Sequence, residues 1–426
     1  MVFPIAAGLA GKGNVNMGKE NDRAKLLIKQ FLLIVWSFLF VKNLAAQTEV
    51  IINQTTTYDQ NIFRNYSEIA GWINQTHLYL AHNMGFTNAR FRFDYAANLS
   101  LFHDYPDRLF HTHQLGLLSL LPLNQNLQLN LGGNFQIRKN KPEYHIYDCS
   151  NWSLHSHFQY EKRQNTVIQI GYRFRDRIYT NLAELSYREH FGFLRIKHFF
   201  PTKTTFIGEI NIGAKKYTDH LTIEELVITT GSDTGKGRGH QHGNGVWGIT
   251  DTSIVAYNMT APKAHQWTIK FKLAQSISAS SGLSLEYVRR FKPAEDTRYL
   301  RGQEYSYTKD DELYDDPYTY GSHEWQFIVT KLLPWSCRAK FYANLLDKKY
   351  LYRAENYFSN SDSLFLDYRI DRQSMVGLNL SRRFAIDWIF QNITAYFSYY
   401  YLNNKSNDLY FDFEGNLVNM GIEVVY

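Results

Sequence analysis

The sequence predicts an all-β chain, a membrane-spanning antiparallel β-barrel of about sixteen strands, with fourteen as the alternative count. Three observations lead there. Segment after segment alternates apolar and polar side chains with a period of two; short and long connections alternate between those segments; and 16% of the residues are aromatic, among them 31 Tyr and 29 Phe. Period-two alternation sets one face of a strand against an apolar medium and the other against a polar one. An aromatic excess of this size is what girdles at two membrane interfaces absorb. Membrane helices are excluded, because no apolar run beyond residue 46 approaches the ~20 residues that a helical span needs.

Taken in chain order, Glu49 to Phe63 reads as the first strand and Ile73 to Asn83 as the second. Alternation is then plain in Ala89–Tyr95, Leu127–Leu131, Ile168–Arg175, Trp267–Leu273, Leu283–Tyr287 and Thr394–Tyr399. Short connections are expected at 85–88, 122–126, 162–166, 201–204, 279–282, 333–336 and 385–388. Long ones are expected near 64–70, 103–108, 139–150, 176–189, 218–264, 293–322, 350–371 and 403–408. Sixteen strands result if the first pair belongs to the barrel, and an even count brings both ends of the chain to one side. If that pair lies outside, fourteen remain; the residues from Ile62 to Trp72 also allow a helical turn or two.

The last eight residues carry a resemblance. Met420, Ile422, Val424 and terminal Tyr426 alternate with Asn419, Gly421 and Glu423 up to the chain end. A strand that finishes on an aromatic residue resembles the closing strand of bacterial outer-membrane β-barrels. The resemblance implies that Ile422, Val424 and Tyr426 form an assembly signal read by the barrel-assembly machinery. Thr57-Tyr58-Asp59-Gln60-Asn61-Ile62-Phe63-Arg64 is similar to a first-strand signature of barrel-type porins, with Gln60 where that pattern has a second Asp. The porin-like family so implied has short periplasmic turns and long extracellular loops.

The amino terminus agrees. Lys19, Arg23, Lys25 and Lys29 precede the apolar run Phe31–Val41, and small residues follow, the pattern of a secretory signal peptide. Residues 1–46 are therefore read as an N-terminal extension plus signal peptide cut after Ala46, and 47–426 as the barrel, with 218–264 a long extracellular loop. Lys42 departs from the usual uncharged end of such a peptide, and Met17 is a second candidate start. The cut is followed by no Cys, which argues against a lipid anchor.

Alternation also assigns an inner face. It places Arg90, Arg92, Arg173, Arg175, Arg195, Lys197, Lys215, Lys270, Lys272, Arg290, Arg338 and Lys340 inward, against Asp94, Glu209, Glu286 and Glu423. A watery lumen lined this way concentrates anions. Two readings stand: the cations line open water, or they pair with carboxylates, loops or lipopolysaccharide phosphates. A formal charge of +6 is too small to point to nucleic acid. The function implied is a porin-like outer-membrane channel for passive passage of small polar, anionic solutes. The alternative is a structural or partner-docking barrel of a secretion or polysaccharide-export system. Its partners would be outer-membrane lipid, lipopolysaccharide, the assembly machinery and the solutes, and a homo-oligomer stays open.

No residue set promises catalysis, and no cofactor is expected. Gly231-Ser232-Asp233-Thr234-Gly235-Lys236 has Thr230 where a phosphate-binding loop needs its first Gly. His240-Gln241-His242-Gly243-Asn244-Gly245 is similar to a stretch of the outer-membrane phospholipase but has His242 where the nucleophilic hydroxyl belongs. His240 with His242 lacks a third metal ligand nearby, and His155 and His157 read as lumen lining. The cluster Asp310, Asp311, Glu312, Asp315 and Asp316 lacks the Gly-centred spacing of a calcium loop and reads as a solvated surface loop. Cys149 and Cys337 fall at opposite barrel ends, too far apart for a disulfide.

Overall fold

Thr48–Asp59 is the first of sixteen strands that close on one another, and with it the count of fourteen falls away. The structure is a computed structural model that describes residues 48–162, 165–218, 221–228, 252–259, 263–291, 315–353, 368–386 and 391–426. The strands are β1 (Thr48–Asp59), β2 (Gly71–Phe86), β3 (Ala89–Phe102), β4 (Phe110–Pro122), β5 (Leu127–Asn140), β6 (Cys149–Lys162), β7 (Thr166–Tyr179), β8 (Tyr187–Phe199) and β9 (Thr204–Tyr217). After β10 (Leu221–Ile228) and β11 (Thr252–Met259), which pair only with each other, come β12 (Lys263–Ser278), β13 (Ser281–Phe291) and β14 (Tyr320–Leu333). β15 (Cys337–Arg353), β16 (Tyr368–Ala385), β17 (Asn392–Ser406) and β18 (Phe413–Val425) complete the wall. Every barrel strand is antiparallel to both neighbours, and β1 closes on β18 with Ile51 opposite Val425 and Asp59 opposite Leu417. Among the described residues, no helix is long and apolar enough to cross a membrane.

Alternation explains the two faces. On β7, Ile170 is 57% exposed on the outer wall, while neighbouring Gln169 bonds to Gln159 and Arg195 inside. The outer wall continues through Leu115, Phe271, Phe327, Phe341, Phe397 and Met420, all exposed. A soluble protein would bury such residues, and a continuous apolar exterior of this kind fits a hydrocarbon surround.

One end carries the short turns together with Thr48 and Tyr426, the other the long connections. At this loop end the boundaries shift from those expected. The first strand stops at Asp59, not Phe63, because the chain turns a buried corner there. Asp59 accepts from the Asn61 backbone at 2.8 Å and from Arg64 at 2.7 Å, with Arg64 held at φ 50°. The stretch from Ile62 to Gly71 contains no helix. The loop expected at 218–264 holds the β10–β11 hairpin, and the one expected at 403–408 lies at 407–412, since β17 runs on to Ser406.

Among the described residues, five loop connections contain a short 3₁₀ turn: Pro106–Arg108, Pro142–Tyr147, Ala183–Leu185, Pro317–Thr319 and Leu409–Phe411. Tyr147 and Leu185 of these turns pack against strand-end residues in a buried apolar core at the loop end. Ile62, Ile73, Phe102 and Phe110 form one buried cluster; Tyr147, Cys149, Tyr179, Leu185, Tyr187 and Tyr217 form another. Arginines roof them, with Arg108 over Phe102 at 4.5 Å and Arg138 over Phe110 at 4.1 Å. Cys149 is buried at the loop end, Cys337 begins β15 at the turn end, and both are free thiols.

Candidate functional site

The interior is built from strand residues of one parity, and its cations are mostly held by carboxylates on neighbouring strands. Arg92 meets Glu49 at 2.8 Å and also donates to the Tyr79 hydroxyl at 2.9 Å. Arg175 and Arg173 share Glu189 at 3.0 and 3.5 Å. Lys270 and Lys272 share Glu286 at 2.7 and 3.1 Å. Arg195 pairs with Glu209 at 2.5 Å, and Arg290 with Glu324 at 3.0 Å. Because Glu189 and Glu286 each serve two cations, pairing leaves a net positive charge at both places. Arg90, Lys197, Arg338 and Lys340 form no ion pair among the described residues. Glu49, Glu189 and Glu324 were not singled out from sequence; they lie near strand ends at positions read there as loop or margin.

Lys215, expected to face the lumen, is instead buried in it. It pairs with Asp316, the two side chains being 2% and 1% exposed. This overturns the expectation that Asp315 and Asp316 belong to a solvated loop. Asp316 caps the turn Pro317–Thr319 by accepting from the Tyr318 backbone at 3.0 Å. Tyr318 then donates its hydroxyl to Glu189 at 2.8 Å. Its ring tip lies against Gly213, where a Cβ would occupy the space of the phenol oxygen. On the other side Asp315 pairs with Lys348 and accepts from the Tyr350 hydroxyl at 2.7 Å. Residues 315–319 thus form a strap along the inner wall at the loop end of the barrel, tied to β8 and β9 on one side and to β15 on the other.

Electrostatics hold the strap in its charged form. Burial alone would raise the Asp315 carboxyl, but the Lys348 ammonium and the Arg369 guanidinium more than offset it and bring the group below its ordinary value. Burial, reinforced by the Glu189 charge, pushes the Tyr318 phenol far up, so it remains a donor. Because the Asp315 pKa is depressed on folding, its contribution to stability is complete above the ordinary carboxylate range. That contribution is lost as pH falls through the lower, folded value. Acid titration followed by tyrosine near-ultraviolet circular dichroism should therefore show the strap loosening below the ordinary Asp range. An Asp315→Asn variant should lack that transition.

Toward the turn end the interior opens. A cavity of about 380 Å³ is bordered by Gln169, Arg195, Lys197, Glu209, Lys270 and Lys272. A second, of about 560 Å³, is bordered by Lys203, Lys272 and Lys340. His157 bonds to Asn130 at 2.9 Å between them and the strap. A Cβ at Gly116 would fall 2.5 Å from both Asp94 carboxylate oxygens, so that position admits only glycine while Asp94 keeps its place. Among the described residues, no group of three or more His, Cys, Asp and Glu is placed to hold a metal. Gly231 to Lys236, His240, His242, Asp310, Asp311 and Glu312 lie outside the described residues, as do 1–47, where a signal peptide is expected from sequence.

At the seam, Tyr426 donates its backbone N–H to Val50 at 2.9 Å and accepts from it at 3.2 Å. Val424 stands opposite Ile52 and Ile422 opposite Gln54. The porin-like signature lies at the loop end of the same seam. Asp59 and Arg64 pair there, and the Gln60 side chain accepts from the Asn416 amide at 2.7 Å.

Fold and interior together define a class: a closed sixteen-stranded antiparallel barrel with an apolar outer wall and a charged, partly open lumen. No family model and no curated protein sequence matches the chain. Among solved structures it is similar to OccAB1 of Acinetobacter baumannii, with TM-score 0.49 and 8% identity over 89% of this chain and 96% of that one. It is similar to OpdK of Pseudomonas aeruginosa, solved with vanillate, with TM-score 0.46 and 10% identity over 89% and 98%. The outer membrane protein OprD from Pseudomonas aeruginosa gives TM-score 0.45 and 9% identity over 89% and 93%. The sixteen-strand closure of this chain stands on its own strand pairing.

Proposed function

We propose that this barrel lies in a bacterial outer membrane, exported with the segment up to Ala46 removed, and is a porin-like channel for small polar solutes that favours anions. It makes and breaks no bonds in this reading. The observation that carries it is the turn-end interior: Lys197, Arg338 and Lys340, free of ion pairs, with the net positive Lys270–Lys272–Glu286 group beside open space. Such a wall raises the local concentration of anions. Pairing and anion preference are compatible, because each shared carboxylate neutralises one of two cations.

Planar-bilayer recording on refolded protein tests this. Reversal potentials in a KCl gradient should show preference for Cl⁻, and the triple variant K197E/R338E/K340E should move it toward K⁺. These three are chosen because reversing Arg173, Arg175, Lys270 or Lys272 would crowd carboxylates against Glu189 and Glu286. Selectivity should weaken at high salt, as the Debye length falls from ~10 Å at 0.1 M to ~3 Å at 1 M. Conductance without ion preference would overturn the anion reading; absence of conductance would favour a docking barrel.

Assembly supplies a second test. Deleting Tyr426 removes both backbone hydrogen bonds to Val50 and the terminal aromatic residue. Synthesis should continue while heat-modifiable barrel in the outer-membrane fraction drops sharply. Normal amounts of folded barrel from the truncated chain would count against an assembly role for this residue.

A further inference from the structure

On the outer face at the loop end, three cations stand side by side on neighbouring strands. Arg188 of β8 is opposite Lys216 of β9, and Lys216 is opposite Lys263 of β12. All three are exposed, and Lys216 and Lys263 form no ion pair among the described residues. One carboxylate serves the row, that of Asp176 on β7, 3.6 Å from Arg188. Elsewhere at this end, three lysines each have a carboxylate of their own: Lys139 meets Asp148 at 3.0 Å, Lys141 meets Asp107 at 3.4 Å, and Lys405 meets Asp412 at 3.2 Å. One step toward the turn end, exposed His190 and His265 flank Ala214. Below them the wall turns apolar, with Ile212 and Trp267 48% and 57% exposed, then Leu194 and Ile210. A Cβ at Gly192, beside Ile212, would meet nothing outside its chain neighbours nearer than the Gly171 carbonyl oxygen at 3.9 Å, so the wall is open there.

Like charges directly opposite each other on neighbouring strands repel, their Cβ atoms being ~4.5–5.5 Å apart. A row of three cations with one carboxylate is therefore short of negative charge until something outside the chain supplies it. A dissolved anion would meet the cations alone. A lipid headgroup meets more, because its chains run down over Ile212, Trp267, Leu194 and Ile210, the direction in which the wall changes from charged to apolar. Trp267 stands at that change, where indole rings gather at membrane interfaces. Phosphate suits the row, since Arg donates to it as a fork and Lys as a point charge. Basic clusters beside an apolar span bind phosphorylated headgroups on the same grounds.

We infer that Arg188, Lys216 and Lys263 form a binding site for the phosphate groups of a phosphorylated glycolipid of the outer leaflet, its acyl chains lying on Ile212, Trp267 and Leu194. The lipid supplies the negative charge that the chain itself leaves out. The site is separate from the lumen, because the same strands turn Glu189, Lys215 and Ala264 inward, where they are buried. The choice of leaflet rests on the outer-membrane reading, in which the loop end faces outward. Binding is measured on isolated protein, so the location and the site fail separately.

Binding of fluorescent lipid A, a bisphosphorylated glycolipid, to refolded protein in phosphatidylcholine nanodiscs decides it. The variant R188A/K216A/K263A should weaken binding by about tenfold or more, since each cation near an anionic lipid surface is worth ~1 kcal/mol. K139A/K141A/K405A removes the same charge from places that have their own carboxylates, and should bind as the parent does. Dephosphorylated lipid A should bind the parent no better than it binds R188A/K216A/K263A, and millimolar inorganic phosphate should not displace lipid A. Each variant is first shown to be a heat-modifiable barrel. If R188A/K216A/K263A does not fold, K216A removes the middle cation alone, and its unfolding midpoint should lose most of the rise that lipid A gives the parent. Undiminished binding or an undiminished rise in these variants, equal loss in K139A/K141A/K405A, equal affinity for dephosphorylated lipid A, or displacement by inorganic phosphate would each overturn the inference. Absence of the native chain from outer-membrane fractions would instead refute the location.

Discussion

Replacing Lys215 with Met should lower the stability of the folded barrel by about 3–5 kcal/mol, the usual consequence of leaving one member of a buried ion pair without its partner. Asp316 would stay buried without the ammonium that balances its charge, its carboxylate still accepting from the Tyr318 backbone N–H at 3.0 Å and the Tyr217 hydroxyl at 3.4 Å. The double variant K215M/D316N removes the uncompensated charge while keeping an oxygen for the cap, and should recover most of the loss. Urea unfolding of protein refolded into phospholipid vesicles gives both numbers, and the cycle isolates the pair. The single variant should also free the strap, since Asp316 and Tyr318 hold its β8–β9 end. Open-channel conductance should then rise along with the loss of stability. A single variant within about 1 kcal/mol of the parent would mean that the pair carries little of the strap's attachment.

A second large effect is expected on β7. Ile170→Arg puts a guanidinium on the lipid-facing wall, where near the bilayer midplane it costs ~2–4 kcal/mol. Gln169→Arg, one residue away, turns inward toward Gln159 and Glu209 and should be tolerated far better, despite the nearby Arg195. Vesicle unfolding midpoints and the yield of heat-modifiable protein report both. Equal damage from the two substitutions would contradict the assignment of faces, because strand parity alone separates them.

Much of this architecture was legible in the sequence, since a strand's faces are a local property. The alternation in Ile168–Arg175 is enough to place Ile170 outside and Gln169 inside, whatever the rest of the chain does. The spacing of turns likewise gave sixteen strands if the first pair belongs to the barrel, and fourteen if it does not; the closure of β1 on β18 decides for sixteen. Boundaries at the loop end were misplaced because the strands there end at buried corners, such as Asp59 with Arg64, that leave no mark on the periodicity.

What alternation could not say is which residue stands beside which, because neighbours in a barrel are set by register and closure. Arg173 and Arg175 read as a free basic stripe until β8 brings Glu189 between them, and Lys270 and Lys272 until β13 brings Glu286. Lys215 meets Asp316 across 101 positions of sequence, so an acidic run that looked solvated became the buried tie of a strap. Local periodicity determines the two faces of each strand; the sites on those faces exist only once tertiary pairing has chosen the neighbours.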